Sequence, residues 1–373
     1  MCQKLEILML VNGKQTQAIW WSEEKQVLEV IDQRLLPFEF KVVELKTTQQ
    51  IFEAIKDMVV RGAPVIGGTA AYGMYLAFLE SLENGALNME ILNRKASFLK
   101  SSRPTAVNLM FAVDSITDKI TESTKAQEVL TWAKEYAQKD IDDCLNIGKA
   151  GLPLIEHVYK TKQETVNILT HCNAGWLATG EYGTATAPIY LAHNKGIPVH
   201  VWVDETRPRN QGANLTAWEL QQHGVPFTII ADNTGGHLMQ HGKVDLCIVG
   251  SDRTTVNGDV ANKIGTYLKA LAAHDNRVPF YVALPLSTID FDMENGIQNI
   301  PIEKRDPEEL AYINGLNEDT KIQRIRIFPE NVEVANYAFD VTPAKYITAL
   351  ITEKGVVKAT KNSITKLRPL SQS

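Results

Sequence analysis

Five short apolar runs rich in β-branched residues recur in the C-terminal half of the chain, at residues 166–170, 198–203, 226–231, 244–250 and 279–284. Between most of them lie helical patterns closed by glycine, at Gly196, Gly224 and Gly242. Strand, helix, strand at this spacing predicts βαβ units and a largely parallel sheet covered on both faces. The fold class follows: α/β, with a Rossmann-like doubly wound parallel sheet domain behind a small N-terminal domain of short strands and helices.

The first 45 residues read as short strands around 18–21, 27–32 and 41–45. From Thr47 the period becomes helical: Ile51, Ile55, Met58 and Val59 share one face, with Thr47 or Thr48 as the cap. A second helix starts at Pro64 and carries Gly67, Gly68, Ala70, Ala71 and Gly73, small enough to let another backbone lie close. Helical patterns continue to about residue 158. No Gly-, Ser- or Pro-rich linker separates the halves, and we divide the 373 residues into 1–140 and 141–373. Near the end, Thr342-Pro343 followed by Ile347, Leu350, Ile351 and Gly355 predicts a last helix.

Charge and cysteine usage narrow the function. Lys plus Arg is 38 against 44 for Asp plus Glu, a net charge of −6. That balance argues against a nucleic-acid or anionic-membrane binder while allowing a local basic pocket. The four cysteines, Cys2, Cys144, Cys172 and Cys247, lie far apart with no C-x-x-C pair, which suits a reducing cytosol better than a disulfide scaffold. No basic run followed by an apolar core marks a secretory signal, and no stretch approaches the roughly 18–20 apolar residues of a membrane span. The expectation is a cytoplasmic protein.

Open parallel sheets bind ligands beyond the carboxyl ends of their strands. The first strand leads into His171-Cys-Asn-Ala-Gly175, and the second into Asp204-Glu-Thr-Arg-Pro-Arg-Asn-Gln-Gly212. The third leads into Asp232-Asn233, and the fourth into Ser251-Asp-Arg253 with Asn257-Gly-Asp259. Four polar strand ends on one rim point to a shared site. After the fourth, Val260, Ile264, Tyr267, Leu268 and Leu271 read as a helix with Asn262 and Lys263 in its first turn. Lys263 there either faces an anion or is a solvated lysine opposing the helix dipole. Cys172 reads either as a small core hydrophobe or as a thiol able to ionise in a polar turn. Asp252 caps the next segment, pairs with Arg253, or serves as an acid whose pKa burial raises.

Other features carry less. His237 and His241 have metal-pair spacing without a neighbouring Glu and read as surface histidines. No dinucleotide or P-loop fingerprint occurs. Gly183-Thr184-Ala185 opens a helix with or without phosphate, and residues 303–309 read as a solvated loop and helix start.

Five segments together resemble the methylthioribose-1-phosphate isomerase family: Arg61-Gly-Ala-Pro-Val-Ile-Gly67, Arg103-Pro-Thr-Ala-Val-Asn108, Thr170-His-Cys-Asn-Ala-Gly175, Glu205-Thr-Arg-Pro208 with Gln211-Gly212, and Asn257-Gly-Asp259 with Asn262-Lys-Ile-Gly-Thr266. Phe339-Asp-Val-Thr-Pro343 extends the likeness over nearly the whole chain. The resemblance implies an aldose-ketose isomerase of methionine salvage, a homodimer acting on a small sugar phosphate, with no metal or nucleotide cofactor. It implies Cys172 and Asp252 as the catalytic pair. Arg61, Gly62, Ala63, Arg103, Gln211, Asn262 and Lys263 are the implied substrate contacts. The same fold occurs in initiation factor 2B regulatory subunits, the non-catalytic alternative. Isomerases of 5-deoxyribose 1-phosphate or ribose 1,5-bisphosphate are the enzymatic ones. Arg209-Asn210, Asn214, Ser251 and Trp176 depart from the usual pattern and bear on the sugar's 5-substituent.

Overall fold

The computed structural model describes residues 9–104 and 106–369, so Cys2 and Thr105 lie outside the described residues. After a short hairpin of Leu10–Val11 with Lys14–Gln15, the N-terminal part forms an antiparallel three-stranded sheet, β1 (Ile19–Ser22), β2 (Val27–Ile31) and β3 (Val42–Leu45), in that order. Alternating burial in β1 sets one face on the core. Next comes α1 (Thr48–Lys56), whose cap is Thr47: its side chain accepts from the Gln50 N–H. Helix α2 (Ala63–Leu79) is apolar all round and buried from Pro64 to Phe78. It is the hub of this half, flanked by α3 (Met89–Ser101), α4 (Val107–Thr117) and α5 (Ala126–Lys162). The small residues along α2 permit this: a Cβ at Gly67 would meet Tyr136 of α5, and one at Gly73 would meet Ile51 of α1.

Helix α5 has 37 residues, about 55 Å at 1.5 Å per residue, and runs unbroken through position 140. It therefore belongs to both halves, packing on α2 in one and on the sheet-covering helix at Ala187–Asn194 in the other.

The C-terminal half holds a seven-stranded sheet. Its strands are β4 (Val166–Thr170), β5 (Val199–Asp204), β6 (Phe227–Ile230), β7 (Leu246–Val249), β10 (Phe280–Ala283), β12 (Ala349–Thr352) and β13 (Gly355–Val357). The spatial order is β6-β5-β4-β7-β10-β12-β13, parallel except for β13. All five strands read from the sequence are present. The chain builds outward from β4 through β5 to β6, then returns to the other side of β4 to lay down β7. The crevice beyond β4 and β7 is thus the topological switch point.

One expected helix is absent and another starts later than expected. Residues 342–355 form a single 3-10 turn, Ala344–Tyr346, and then β12 and β13. The apolar run Ala349–Thr352 is fully buried beside β10, and Gly355, at φ +121°, turns the chain back. Lys263 does not start a helix either. Arg253–Thr255 (β8) and Val260–Lys263 (β9) form an antiparallel hairpin closed by Asn257-Gly258, with Arg253 opposite Ala261. β9 pairs on its other edge with β11 (Phe339–Thr342), and the next helix, α6 (Thr266–Asp275), begins only at Thr266.

Candidate active site

Cys172 follows β4 and Asp252 follows β7, the two strands that flank the switch point. Both side chains line one cavity of about 430 Å³, a size suited to a small ligand. Arg61, Gly62, Ala63, Arg103, Gln211 and Lys263 line it too. The N-terminal half therefore supplies the start of α2 and the loop before α4, and the sheet domain supplies the strand ends.

The physical reason for each placement is local. Gly62 precedes α2 at φ +93°, a conformation open to glycine, and brings the Arg61 loop against the short helix Trp176–Thr179 that follows Cys172. Arg61 crosses to that loop, donating from Nη1 to Asn173 Oδ1 and from Nη2 to the Asn173 carbonyl at 3.0 Å. Asn173 in turn donates to Glu219 Oε1 at 2.9 Å. Glu219 also accepts the Trp176 and Leu177 N–H groups at 3.0 and 2.9 Å. Burial lifts the Glu219 carboxyl to about 7, against the pull of these donors.

Lys263 ends β9, nine-tenths buried, with Nζ over the Phe339 ring at 5.8 Å. Side chains alternate along the strand, so Ala261 and Lys263 face the cavity while Asn262 turns away. Asn262 is the one expected contact that does not line the cavity: its amide donates to Thr266 Oγ1 at 3.0 Å, at the start of α6. The strand reading explains both, where a helical first turn would have put the two side by side.

Burial dominates the electrostatics. It raises the Cys172 thiol, against the opposing pull of Arg61 and Lys263. It raises the Asp252 carboxyl, again against Lys263, Arg61 and Arg103, which favours a carboxyl able to donate a proton. It lowers Lys263 and Arg103, the latter helped by Arg305. These groups feel one another, so the cavity holds an interacting set of cations, carboxyls and one thiol.

Sequence reasoning missed part of the wall. Glu303 and Arg305, read as a solvated loop, line the cavity with Met58, Met110, Arg253 and Phe339. Arg305 donates to Glu309 Oε1 at 2.7 Å, and Arg209 reaches the same carboxylate at 3.0 Å. Burial works to raise Glu309, yet these arginines hold it at about 2. The i, i+4 spacing of Arg305 and Glu309 was the available signal. His237 and His241 sit together away from the cavity, rings 4.3 Å apart. Beneath the rim, His171, Asp204 and Asp232 have the composition of a metal set. The Lys269 ammonium already supplies the positive charge there, 3.2 Å from Asp204 Oδ2 and donating to the Asp232 carbonyl. His171 spends its nitrogens on Asp204 and on the Ile264 carbonyl, both at 2.8 Å.

The Initiation factor 2 subunit family profile matches residues 59–359. A methylthioribose-1-phosphate isomerase of Desulfatibacillum aliphaticivorans is 54% identical over 367 residues, covering 97% of this chain and 99% of that protein. Among solved structures, 5-methylthioribose 1-phosphate isomerase from Pyrococcus horikoshii OT3 superposes with a TM-score of 0.82 at 39% identity, covering 95% of this chain and 96% of that one. The delta subunit of translation initiation factor eIF-2B from A. fulgidus gives 0.79 at 37% identity, covering 94% and 99%. By near-full-length identity above one half, the chain belongs to the methylthioribose-1-phosphate isomerases within the Initiation factor 2 subunit family.

Proposed function

We propose that this protein is an aldose-ketose isomerase that converts 5-methylthioribose 1-phosphate to 5-methylthioribulose 1-phosphate in methionine salvage. One observation carries the reading: Cys172 and Asp252, from the strands flanking the switch point, share a cavity with Arg61, Arg103 and Lys263. The names of relatives at 51–54% identity agree with it.

The anomeric oxygen of an aldose 1-phosphate is esterified, so the ring opens only when its own oxygen is protonated. Asp252, whose raised pKa keeps a proton available, donates it. Hydrogen then passes from C2 to C1, and the C2 hydroxyl proton returns to the acid, leaving a ketone. Cys172 removes and returns the C2 proton or stabilises charge while hydride moves. The N-terminus of α2 with Arg61, Arg103 and Lys263 offers a seat for the phosphate dianion. Gln211 orients the sugar, and Met58, Ile66 and Met110 provide an apolar wall suited to a methylthio group. The reading extends to a homodimer and to a cytoplasmic location, the latter in keeping with buried free cysteines at 144, 172 and 247.

The test is a turnover comparison of methylthioribose 1-phosphate, 5-deoxyribose 1-phosphate and ribose 1,5-bisphosphate, followed by NMR. Fastest conversion of the first is expected. Conversion of none would make the chain a binding subunit.

A further inference from the structure

Two residues at the rim hold backbone conformations that side chains ordinarily avoid. Cys172 has φ +66° and Thr206 has φ +65°. For a β-branched residue such as threonine this is a real outlier, and such strain persists only where surrounding bonds over-determine it. The two strained residues are bonded to each other: the Cys172 N–H donates to Thr206 Oγ1 at 2.8 Å. That hydroxyl donates onward to the Asp204 carbonyl at 3.0 Å. On the other side of the same residue, Thr216 Oγ1 donates to the Cys172 carbonyl at 2.7 Å. Thr206 and Thr216 are both buried, so water does not replace either hydroxyl.

The clamp has its own anchor. Asp232, beyond β6, accepts the Thr206 N–H at Oδ1 and the Arg207 N–H at Oδ2, both at 2.7 Å. Thr216 closes a π-helical turn, Gly212–Thr216, that starts immediately after Gln211 in the cavity wall. Turns of this kind recur at functional sites. A cysteine serving only as core packing has no use for a left-handed turn gripped at both its N–H and its carbonyl.

We propose that Thr206 and Thr216 are positioning residues that hold the Cys172 backbone in its left-handed turn, with Asp232 as the anchor of Thr206. They keep the thiol in the wall it shares with Asp252 and Lys263. This rests on the isomerase reading above and assigns that reaction three further residues that never touch substrate.

The experiment compares Thr206→Val and Thr216→Val, which remove the hydroxyl and keep the shape, with Thr206→Ser and Thr216→Ser, which keep it. Each valine variant is expected to lose at least tenfold in kcat with KM within twofold. Each serine variant is expected to stay within threefold of the parent. Iodoacetamide alkylation at Cys172, followed by peptide mass mapping, should change at least fivefold in the valine variants and little in the serine ones. Asp232→Asn leaves both hydroxyls in place, and a milder kcat loss is expected there; the parental kcat in folded protein would overturn the anchoring role. Valine variants with parental kcat and alkylation rate overturn the clamp, as does a lowered Tm with unchanged kcat or a serine variant as poor as valine. Cys172→Ala separates the two claims. If it turns over normally, the role assigned to the Cys172 thiol fails and the clamp with it; if the parent converts no sugar phosphate, the isomerase reading fails; if Cys172→Ala is inactive while Thr206→Val and Thr216→Val are fully active, only the clamp fails.

Discussion

Gly62→Ala is the substitution whose consequence the structure specifies most sharply. A Cβ at Gly62 would sit 2.4 Å from the Ala178 carbonyl oxygen, 2.5 Å from its Cβ and 2.6 Å from its Cα. Ordinary contact begins near 3.4 Å, so the Arg61 loop and the helix after Cys172 must part by about 1 Å. Overpacking of that kind costs roughly 1–3 kcal/mol, and φ +93° on a non-glycine residue adds about 1–3 kcal/mol. The sum, about 2–6 kcal/mol, lowers Tm by roughly 3–8 °C in a chain of 373 residues. Function should suffer more than stability alone explains. Arg61 and the start of α2 move with the loop, and a 1 Å misplacement near a reacting centre costs on the order of 100-fold. Differential scanning calorimetry and steady-state kinetics on the same sample measure both. A variant with parental Tm and parental kcat/KM would refute the close approach of the two halves at this point.

Three further outcomes follow from other parts of the structure. Asp140 on α5 is nine-tenths buried with Oδ2 unpartnered among the described residues, and burial lifts its carboxyl to about 7 from an ordinary 3.8. The folded chain thus binds this proton more tightly than the unfolded chain, so stability falls as pH rises from about 4 to 7. Asp140→Asn should flatten that decline and raise stability at pH 8 by on the order of 2–4 kcal/mol, read by denaturant titration; an unchanged pH slope would contradict it. Lys263→Ala removes a buried cation from the cavity wall and should weaken inhibition by inorganic phosphate roughly 10–100-fold, while an unchanged inhibition constant rejects the assigned role. Asp252 must hold a proton to open the ring, so kcat/KM should fall on the alkaline side as its raised pKa is passed; a profile rising throughout would remove it as the acid.

Much of the scaffold was legible because buried parallel strands announce themselves. β4, β5, β6, β7 and β10 each show a short β-branched run, the first four with a polar segment at the carboxyl end that marks a shared rim, and the family resemblance then singled out Cys172 and Asp252 on it. The failures share a cause. Residues 253–263 and 342–355 contain short apolar runs that fit helical and extended spacing equally well, and only pairing partners decide between them. For β8 and β9 the Asn257-Gly258 turn between β-branched neighbours was the overlooked signal. For β12 nothing local would have served, since its place between β10 and β13 comes from the sheet. Glu303 and Arg305 were hidden differently: charged residues in a loop look solvated until a cavity forms around them.

The central claim is that a buried acid and a thiol from neighbouring strands jointly move hydrogen within one sugar phosphate. Single-turnover kinetics of Asp252→Asn and Cys172→Ser, with substrate affinity measured on the same folded protein, test it most directly. The expected result is a loss of at least 1,000-fold in the chemical step of each variant with affinity preserved within about tenfold. Turnover within tenfold of the parent in either variant would contradict it.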